Sequence, residues 1–256
     1  MANIKKFRIL SFKSKKPILS THSISKIIKK RLILRKINIH VNHGEIFGLL
    51  GPNGAGKSVT FNILLGIMQQ TKGDIFISGK KINNFAIHQR SSIFSIGYVP
   101  QADSVFRGLS SEDNLRAVAQ ISILDKKEQE LTIQRLLEEF DLTHLSNIRA
   151  DNLSGGERKR LTIARALVNN PKILLMDEPF GAVDPINIEM IKKIIVALQK
   201  KGVSVIITDH SATNVLSIVD RCSLISSGEI IISGKPKEIV NNLEARRIYF
   251  GDSFDL

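Results

Sequence analysis

Three short stretches, residues 46–50 (IFGLL), 173–176 (ILLM) and 203–207 (VSVII), are apolar at nearly every position. Runs of this length without alternation suit strands buried on both faces, as in a parallel sheet. Residues 33–41 instead alternate apolar and polar, the pattern of a strand with one wet face. Between these lie segments with apolar residues three and four apart, over 131–140, 157–168 and 186–198, which predict amphipathic helices. Strands alternating with helices predict an α/β fold around a mostly parallel sheet. From about 110 to 168 the chain shows helical patterns and no convincing strand, so a helical subdomain inserted in the sheet domain is expected. After Arg221 the chain returns to strands, at 222–226 and 230–233, with Ser227-Gly228 turning between them, and then to short helices.

Composition narrows the class. Of 256 residues, 43% are hydrophobic and 24% charged, enough to bury a core without staples and not the balance of a disordered chain. The single cysteine, Cys222, excludes a disulfide framework and a cysteine-rich zinc site and fits a reducing, cytosolic setting. In its apolar strand it is expected to be an inert core residue. The remaining histidines, His22, His40, His43, His88 and His144, show no metal-ligand spacing. No apolar run approaches the ~20 residues needed to cross a bilayer. With no tryptophan and 5% aromatic residues, single-strand nucleic-acid binding by base stacking is disfavoured.

Charge is placed unevenly. Of the 37 Lys and Arg, 12 precede Glu45, the first acidic residue, which leaves 25 basic against 24 acidic residues beyond it. The net charge of +13 therefore belongs to the N-terminal part, and the nearly neutral body is not an evenly basic nucleic-acid-binding domain. Residues 1–20 are expected to form a basic flexible arm, with anionic lipid headgroups as a candidate surface.

Gly51-Pro52-Asn53-Gly54-Ala55-Gly56-Lys57-Ser58 fits G-x-x-x-x-G-K-[ST], between an apolar strand and a helical stretch. Its glycines let backbone N–H groups converge on phosphate oxygens, and the helix N-terminus adds positive partial charge. Lys57 is expected to reach the β- and γ-phosphates and Ser58 to ligate Mg²⁺. Asp177 and Glu178 follow another buried strand, at the sheet edge where ligands bind in such folds. Asp177 is the candidate to hold Mg²⁺ through water, and Glu178 to orient or deprotonate the attacking water. Leu153-Ser154-Gly155-Gly156-Glu157 places a Ser N-cap three residues before a Glu, a capping box. Its two glycines leave the N-terminal amides of the helix bare, a second anion site.

This order of motifs resembles the nucleotide-binding subunits of ABC transporters. Gln101 in GYVPQ matches the family's Q-loop, Gly181-Ala182-Val183-Asp184 its D-loop, and His210 in TDH its switch histidine. The resemblance spans residues 23 to about 234. It implies a P-loop NTPase of the ABC type: mostly parallel central sheet, antiparallel β part and inserted helical subdomain (about 110–168). The ATPase domain is expected over 21–241, with a C-terminal tail over 242–256. It also implies ATP and Mg²⁺ as cofactors, with Ser58, Gln101 and Asp177 on the metal, and a homodimer. Each ATP then lies between one chain's 51–59 loop, Val59 included, and the other chain's Ser154, Gly155, Gly156 and Glu157. His210 would hydrogen-bond the γ-phosphate. The family stacks adenine on an aromatic residue; counted back without gaps, that place falls at Ile28, an apolar substitute. Val59 stands where a second hydroxyl often occurs.

Residues 100–107 (PQADSVFR), 177–185 (DEPFGAVDP) and the ending RIYFGDSF are similar to the lipopolysaccharide-export ATPases of this family. That similarity implies two integral membrane partner subunits at the cytoplasmic face of the inner membrane, with Phe106 and Arg107 in the groove that receives a coupling helix. The branched-chain amino-acid import ATPases share the first two patterns more loosely and are the alternative. ABC ATPases acting on nucleic acid are a more distant one, disfavoured by the neutral body.

Overall fold

Leu19 opens the first strand of the computed structural model, which describes residues 17–251 and Phe254. Of the expected basic arm, residues 1–16 lie outside the described residues, while Ile18 and Leu19 are buried in the core. Along the chain follow β1 (Leu19–Ile28), β2 (Arg31–Ile37), β3 (His40–Val41), β4 (Ile46–Leu50) and α1 (Lys57–Leu65). Next come β5 (Lys72–Ile77), β6 (Lys80–Lys81), α2 (Ile87–Phe94) and β7 (Ile96–Val99). The helical stretch holds α3 (Ser111–Ser122), α4 (Lys126–Glu139) and α5 (Gly155–Ala166). The chain closes with β8 (Ile173–Asp177), α6 (Pro185–Lys200), β9 (Ser204–Thr208), α7 (Ala212–Leu216), β10 (Arg221–Ser226), β11 (Glu229–Gly234), α8 (Pro236–Val240) and α9 (Leu243–Ala245).

Among the described residues the strands form two sheets. The larger runs β11-β10-β4-β9-β8-β7, parallel from β10 to β7 with β11 antiparallel at its edge. The smaller is antiparallel, in the order β2-β1-β5-β6 with β3 also on β1. Alternation along each central strand feeds two cores. Ile46 and Leu50 join one, Phe47 and Leu49 the other; Leu174 and Met176 part likewise from Ile173 and Leu175. The first core packs under the helices α3 to α7, and the second lies between the central sheet, α1 and the antiparallel sheet.

The alternating stretch 33–41 is not one strand. It breaks at Asn38 between β2 and β3, because Asn38 Oδ1 accepts from the Ser23 N–H at 2.8 Å and its Nδ2 donates to Lys36 O at 2.8 Å. Thr21 Oγ1 then takes the Ile39 N–H at 2.8 Å, so the break leaves that buried donor satisfied. The helices begin where polar caps stand: Ser110, Asp125, Ser154 and Asp184 each accept from a first-turn N–H. Pro185 occupies the first turn of α6, where its missing N–H costs nothing.

Arg90 fixes the far end of α1. It is 1% exposed, and its guanidinium donates to Ile63 O (2.6 Å) and Leu64 O (2.8 Å) in the last turn of α1. It also donates to Phe85 O (2.8 Å) and Ile82 O (3.1 Å). Burial pulls its pKa down to about 10, yet the cation sits at a helix C-terminus, where the dipole favours it.

Candidate functional site

Between β4 and α1 the backbone takes conformations that need glycine. Gly51 has φ +153°, and a Cβ there would stand 2.1 Å from Ile225 O; at Gly56, φ +112°, it would stand 2.5 Å from Leu34 Cδ2. The loop thus packs tightly between β10 of the central sheet and β2 of the antiparallel sheet. Lys57 Nζ lies back over the loop, donating to Gly51 O at 2.5 Å and Pro52 O at 3.0 Å. Burial lowers its pKa, while the carboxylates of Glu178, Asp177 and Asp209 pull it up.

Adjacent parallel strands deliver the acids. Asp177 pairs in register with Thr208 at the ends of β8 and β9, and the Glu178 N–H donates to Thr208 O at 2.7 Å. Glu178 has φ +50°, a left-handed conformation that costs a non-glycine residue about 1 kcal/mol. It aims the carboxylate across the cleft. Glu178 Oε1 stands 2.5 Å from His210 Nε2, and Oε2 accepts from Gln101 Nε2 at 2.7 Å. Asp209, 2% exposed, accepts from the Phe180 N–H and the Ser211 N–H, both at 2.9 Å, and so ties the segment after Glu178 to the start of α7.

These groups share a cleft of about 370 Å³ lined by Ile33, Asn53, Gly54, Gly56, Lys57, Ser58, Val59, Gln101, Glu178 and His210. The structure thus brings the loop, Gln101, Glu178 and His210 together. Gly51, Pro52, Ala55 and Asp177 are not on its lining. The side chain that the first hairpin contributes is Ile33; Ile28, expected from a gap-free count, is half-buried and not on the lining.

The donors suit a hard divalent cation. Asp177 is 7% exposed, and burial, with Glu178 beside it, raises its carboxyl pKa. A cation relieves that repulsion. Ser58 and Gln101 add oxygen donors on the cleft wall. Among the described residues no cluster of three or more His, Cys, Asp or Glu could hold a metal alone.

Ser154, Gly155, Gly156 and Glu157 lie outside this cleft. The capping box is formed: Ser154 Oγ accepts from the Glu157 N–H at 3.3 Å and Glu157 Oε2 from the Ser154 N–H at 2.7 Å. The glycines differ. Gly155 is open, its nearest would-be contact being Ala182 O at 3.8 Å, whereas a Cβ on Gly156 would stand 2.2 Å from Asn187 Cγ. Three successive cations, about 100° apart around α5, reach the loop after β7, the segment after β8 and the first turn of α6. Arg158 Nε meets Asp103 Oδ2 at 3.1 Å, beyond Gln101. Lys159, 4% exposed, donates to Glu178 O at 3.2 Å, with Pro100 O at 3.5 Å. Arg160 Nη1 donates to Asn187 Oδ1 at 2.7 Å. Each of these partners lies on another element, so nothing in the local sequence around α5 specifies it.

Arg165 stacks over Phe106, 4.8 Å from the ring centroid, and donates to Ser104 Oγ at 3.1 Å. It lines a second cleft of about 240 Å³ with Arg90, Tyr98 and Val118. The tail docks on its own domain, with Tyr249, Phe250 and Phe254 packed on the core. Arg246 donates to Val240 O at 2.8 Å and Phe254 O at 3.0 Å. The buried Tyr249 hydroxyl feels the Gly51 N–H but makes no well-formed hydrogen bond, and burial pushes its pKa up to about 12. Cys222 is buried as expected, its thiol pushed up to about 12.

The ABC transporter family profile matches residues 34–181. The chain is 41% identical over 240 residues to the lipopolysaccharide export system ATP-binding protein LptB of Haemophilus influenzae, covering 93% of this chain and 99% of that protein. It superposes on the ADP conformation of MJ1267, an ATP-binding cassette of an ABC transporter, with a TM-score of 0.84 at 28% identity, over 92% of this chain and 99% of that one. A dimeric post-hydrolysis state of the ATP-binding cassette MJ0796 bound to ADP and Pi gives 0.76 at 26% identity, over 85% and 98%. Among the described residues no helix is long and apolar enough to cross a membrane.

Proposed function

Because this chain belongs to the ABC transporter ATP-binding family and is an ATPase subunit of such a transporter, we propose that it powers lipopolysaccharide export. It acts as a homodimer on two integral membrane subunits, at the cytoplasmic face of the inner membrane. The observation that carries the catalytic reading is the single cleft shared by Lys57, Ser58, Gln101, Glu178 and His210. The cargo reading rests on near full-length likeness to an export-system protein.

The chemistry follows from charge. Phosphoryl transfer to water needs an in-line nucleophile and neutralisation of the γ-phosphoryl oxygens. Amides of the 51–59 loop other than that of Pro52, which has no N–H, and the positive end of α1 hold the phosphates, and Lys57 moves from the Gly51 and Pro52 carbonyls to the β- and γ-oxygens. Ser58, Gln101 and Asp177 would hold Mg²⁺, which when bound supplies further neutralising charge. Glu178 orients the attacking water and takes up its proton; His210, beside the same carboxylate, hydrogen-bonds the γ-phosphate and keeps that geometry. Ile33 offers the base an aliphatic wall, which forgoes about 1 kcal/mol of aromatic stacking.

A second copy completes the site with Ser154, the bare Gly155, Gly156 and Glu157. The dimeric MJ0796 cassette supports that arrangement. Loss of the γ-phosphate then removes the group that bridges two copies, which converts hydrolysis into reopening.

Two measurements test this. Glu178→Gln with Mg²⁺ and ATP should elute as a dimer; a monomer under those conditions defeats the two-copy site. Affinity purification from membranes should recover two transmembrane subunits of a lipid exporter; an amino-acid import system with its binding protein overturns the cargo.

A further inference from the structure

Asn187, in the first turn of α6, has both ends of its amide engaged on different elements. Its Oδ1 accepts from Arg160 Nη1 on α5 at 2.7 Å, and its Nδ2 donates to Asp184 Oδ2 at 2.6 Å. Arg160 is 6% exposed and its Nε is buried without a partner, so that cation leans on Asn187. The flat face of the same amide lies where a Cβ on Gly156 would be, 2.2–2.5 Å from the Asn187 Cγ, Nδ2 and Oδ1. One small side chain therefore touches the glycine segment, the helix behind it and the Gly181–Asp184 loop. That loop is itself anchored to the cleft, because the Gly181 N–H donates to Glu178 O at 3.3 Å.

We propose that Asn187 is a positioning residue that locks the Ser154–Glu157 segment to the Gly181–Asp184 loop, so that both meet a second copy as one unit. The inference rests on the reading that this segment engages the nucleotide held by a second copy. With the lock in place, engagement there is felt through Asn187 at the loop bonded to Glu178 in the same chain's own cleft. The two nucleotides of a dimer are thereby linked by a path through the Asn187 and Asp184 side chains and the Gly181–Glu178 backbone bond. The path also gives Gly156 a steric reason to be glycine, separate from any contact with phosphate.

Removing the amide loosens both connections while leaving the phosphate loop untouched. Asn187→Asp keeps the size and the Arg160 contact, but it loses the donor and sets a carboxylate against Asp184. The exchange Asp184→Asn with Asn187→Asp restores the bridge with donor and acceptor reversed, and Asn still caps α6.

The test uses the full chain with Mg²⁺ and ATP. In the Glu178→Gln background, Asn187→Ala and Asn187→Asp should each weaken ATP-driven dimerisation about tenfold, the scale of a coupled polar contact. ADP affinity of the monomer should stay within about twofold. With Glu178 restored, the Hill coefficient for ATP hydrolysis should fall toward one, and the double exchange should recover dimerisation to within about threefold. Undiminished dimerisation in Asn187→Ala overturns the lock. So does a loss that tracks reduced ADP affinity and is not recovered by the exchange, since that marks a general packing defect. If Glu178→Gln alone stays monomeric, the two-copy site falls first and this inference with it.

Discussion

Glu178 Oε1 and His210 Nε2 lie 2.5 Å apart, although 32 residues separate them in sequence, because β8 and β9 run side by side and end level. The carboxylate that would orient water is held from one side by this imidazole and from the other by Gln101. His210→Ala should therefore lower the ATP turnover number by about a hundredfold, the scale of a misplaced general base, and leave ATP affinity nearly unchanged. Steady-state hydrolysis alongside equilibrium nucleotide binding separates the two. An unchanged turnover number removes His210 from the reacting geometry.

Lys57→Ala deletes the one cation seated in the phosphate loop. ATP affinity should drop at least about thirtyfold, near 2 kcal/mol for charged hydrogen bonds. Helical content by circular dichroism should be retained. ATP bound as tightly as by the parent chain contradicts the loop's role.

Asp177 is buried beside Glu178 and raised in pKa by burial first and that carboxylate second. Asp177→Asn removes a charge the apo protein holds at a cost. The nucleotide-free protein should melt higher by about 2 °C, the effect of roughly 1 kcal/mol in a chain this long. The extra stabilisation by Mg²⁺ and ADP over ADP alone should disappear. Thermal melts with and without each ligand give both readings.

Tyr249 buries a hydroxyl without a well-formed partner. Tyr249→Phe keeps the ring contacts with Phe250 and relieves that group, so urea unfolding should show equal or greater stability, by up to about 1 kcal/mol. A loss of stability would point to a hydrogen bond from the Gly51 amide.

Arg90→Met leaves without a donor five carbonyls that the guanidinium now serves, three of them in buried bonds. Denaturant unfolding should show a loss of about 3 kcal/mol or more. A loss under 1 kcal/mol would mean that water replaces the guanidinium.

What could be read from the sequence was whatever chemistry demands at fixed spacing. Gly51 to Ser58 must be contiguous because one loop wraps one phosphate chain, and Asp177-Glu178 must follow an apolar run because the strand end aims them. Capping residues such as Ser154 were legible for the same local reason. Asn187, Asp209 and Lys159 were not, since each acts through a partner on another element, and nothing in their own neighbourhood specifies it. The first hairpin was legible only in part: Ile28, at the counted place, is half-buried and off the cleft lining, while Ile33 on the next strand stands on that lining, a placement set by β1–β2 pairing rather than by spacing along the chain. The strand expected over 33–41 failed at Asn38, whose side chain competes with the ladder.

Cys222 is the chain's single thiol, sealed in β10 against the position of Gly48, where a Cβ would meet it at 3.1 Å. The protein is thus, in effect, silent toward maleimides and mild oxidants while folded. A cysteine introduced at an exposed loop becomes the sole reactive handle, so spin labels or bifunctional crosslinkers can follow two subunits approaching each other without first engineering away the native sulfur.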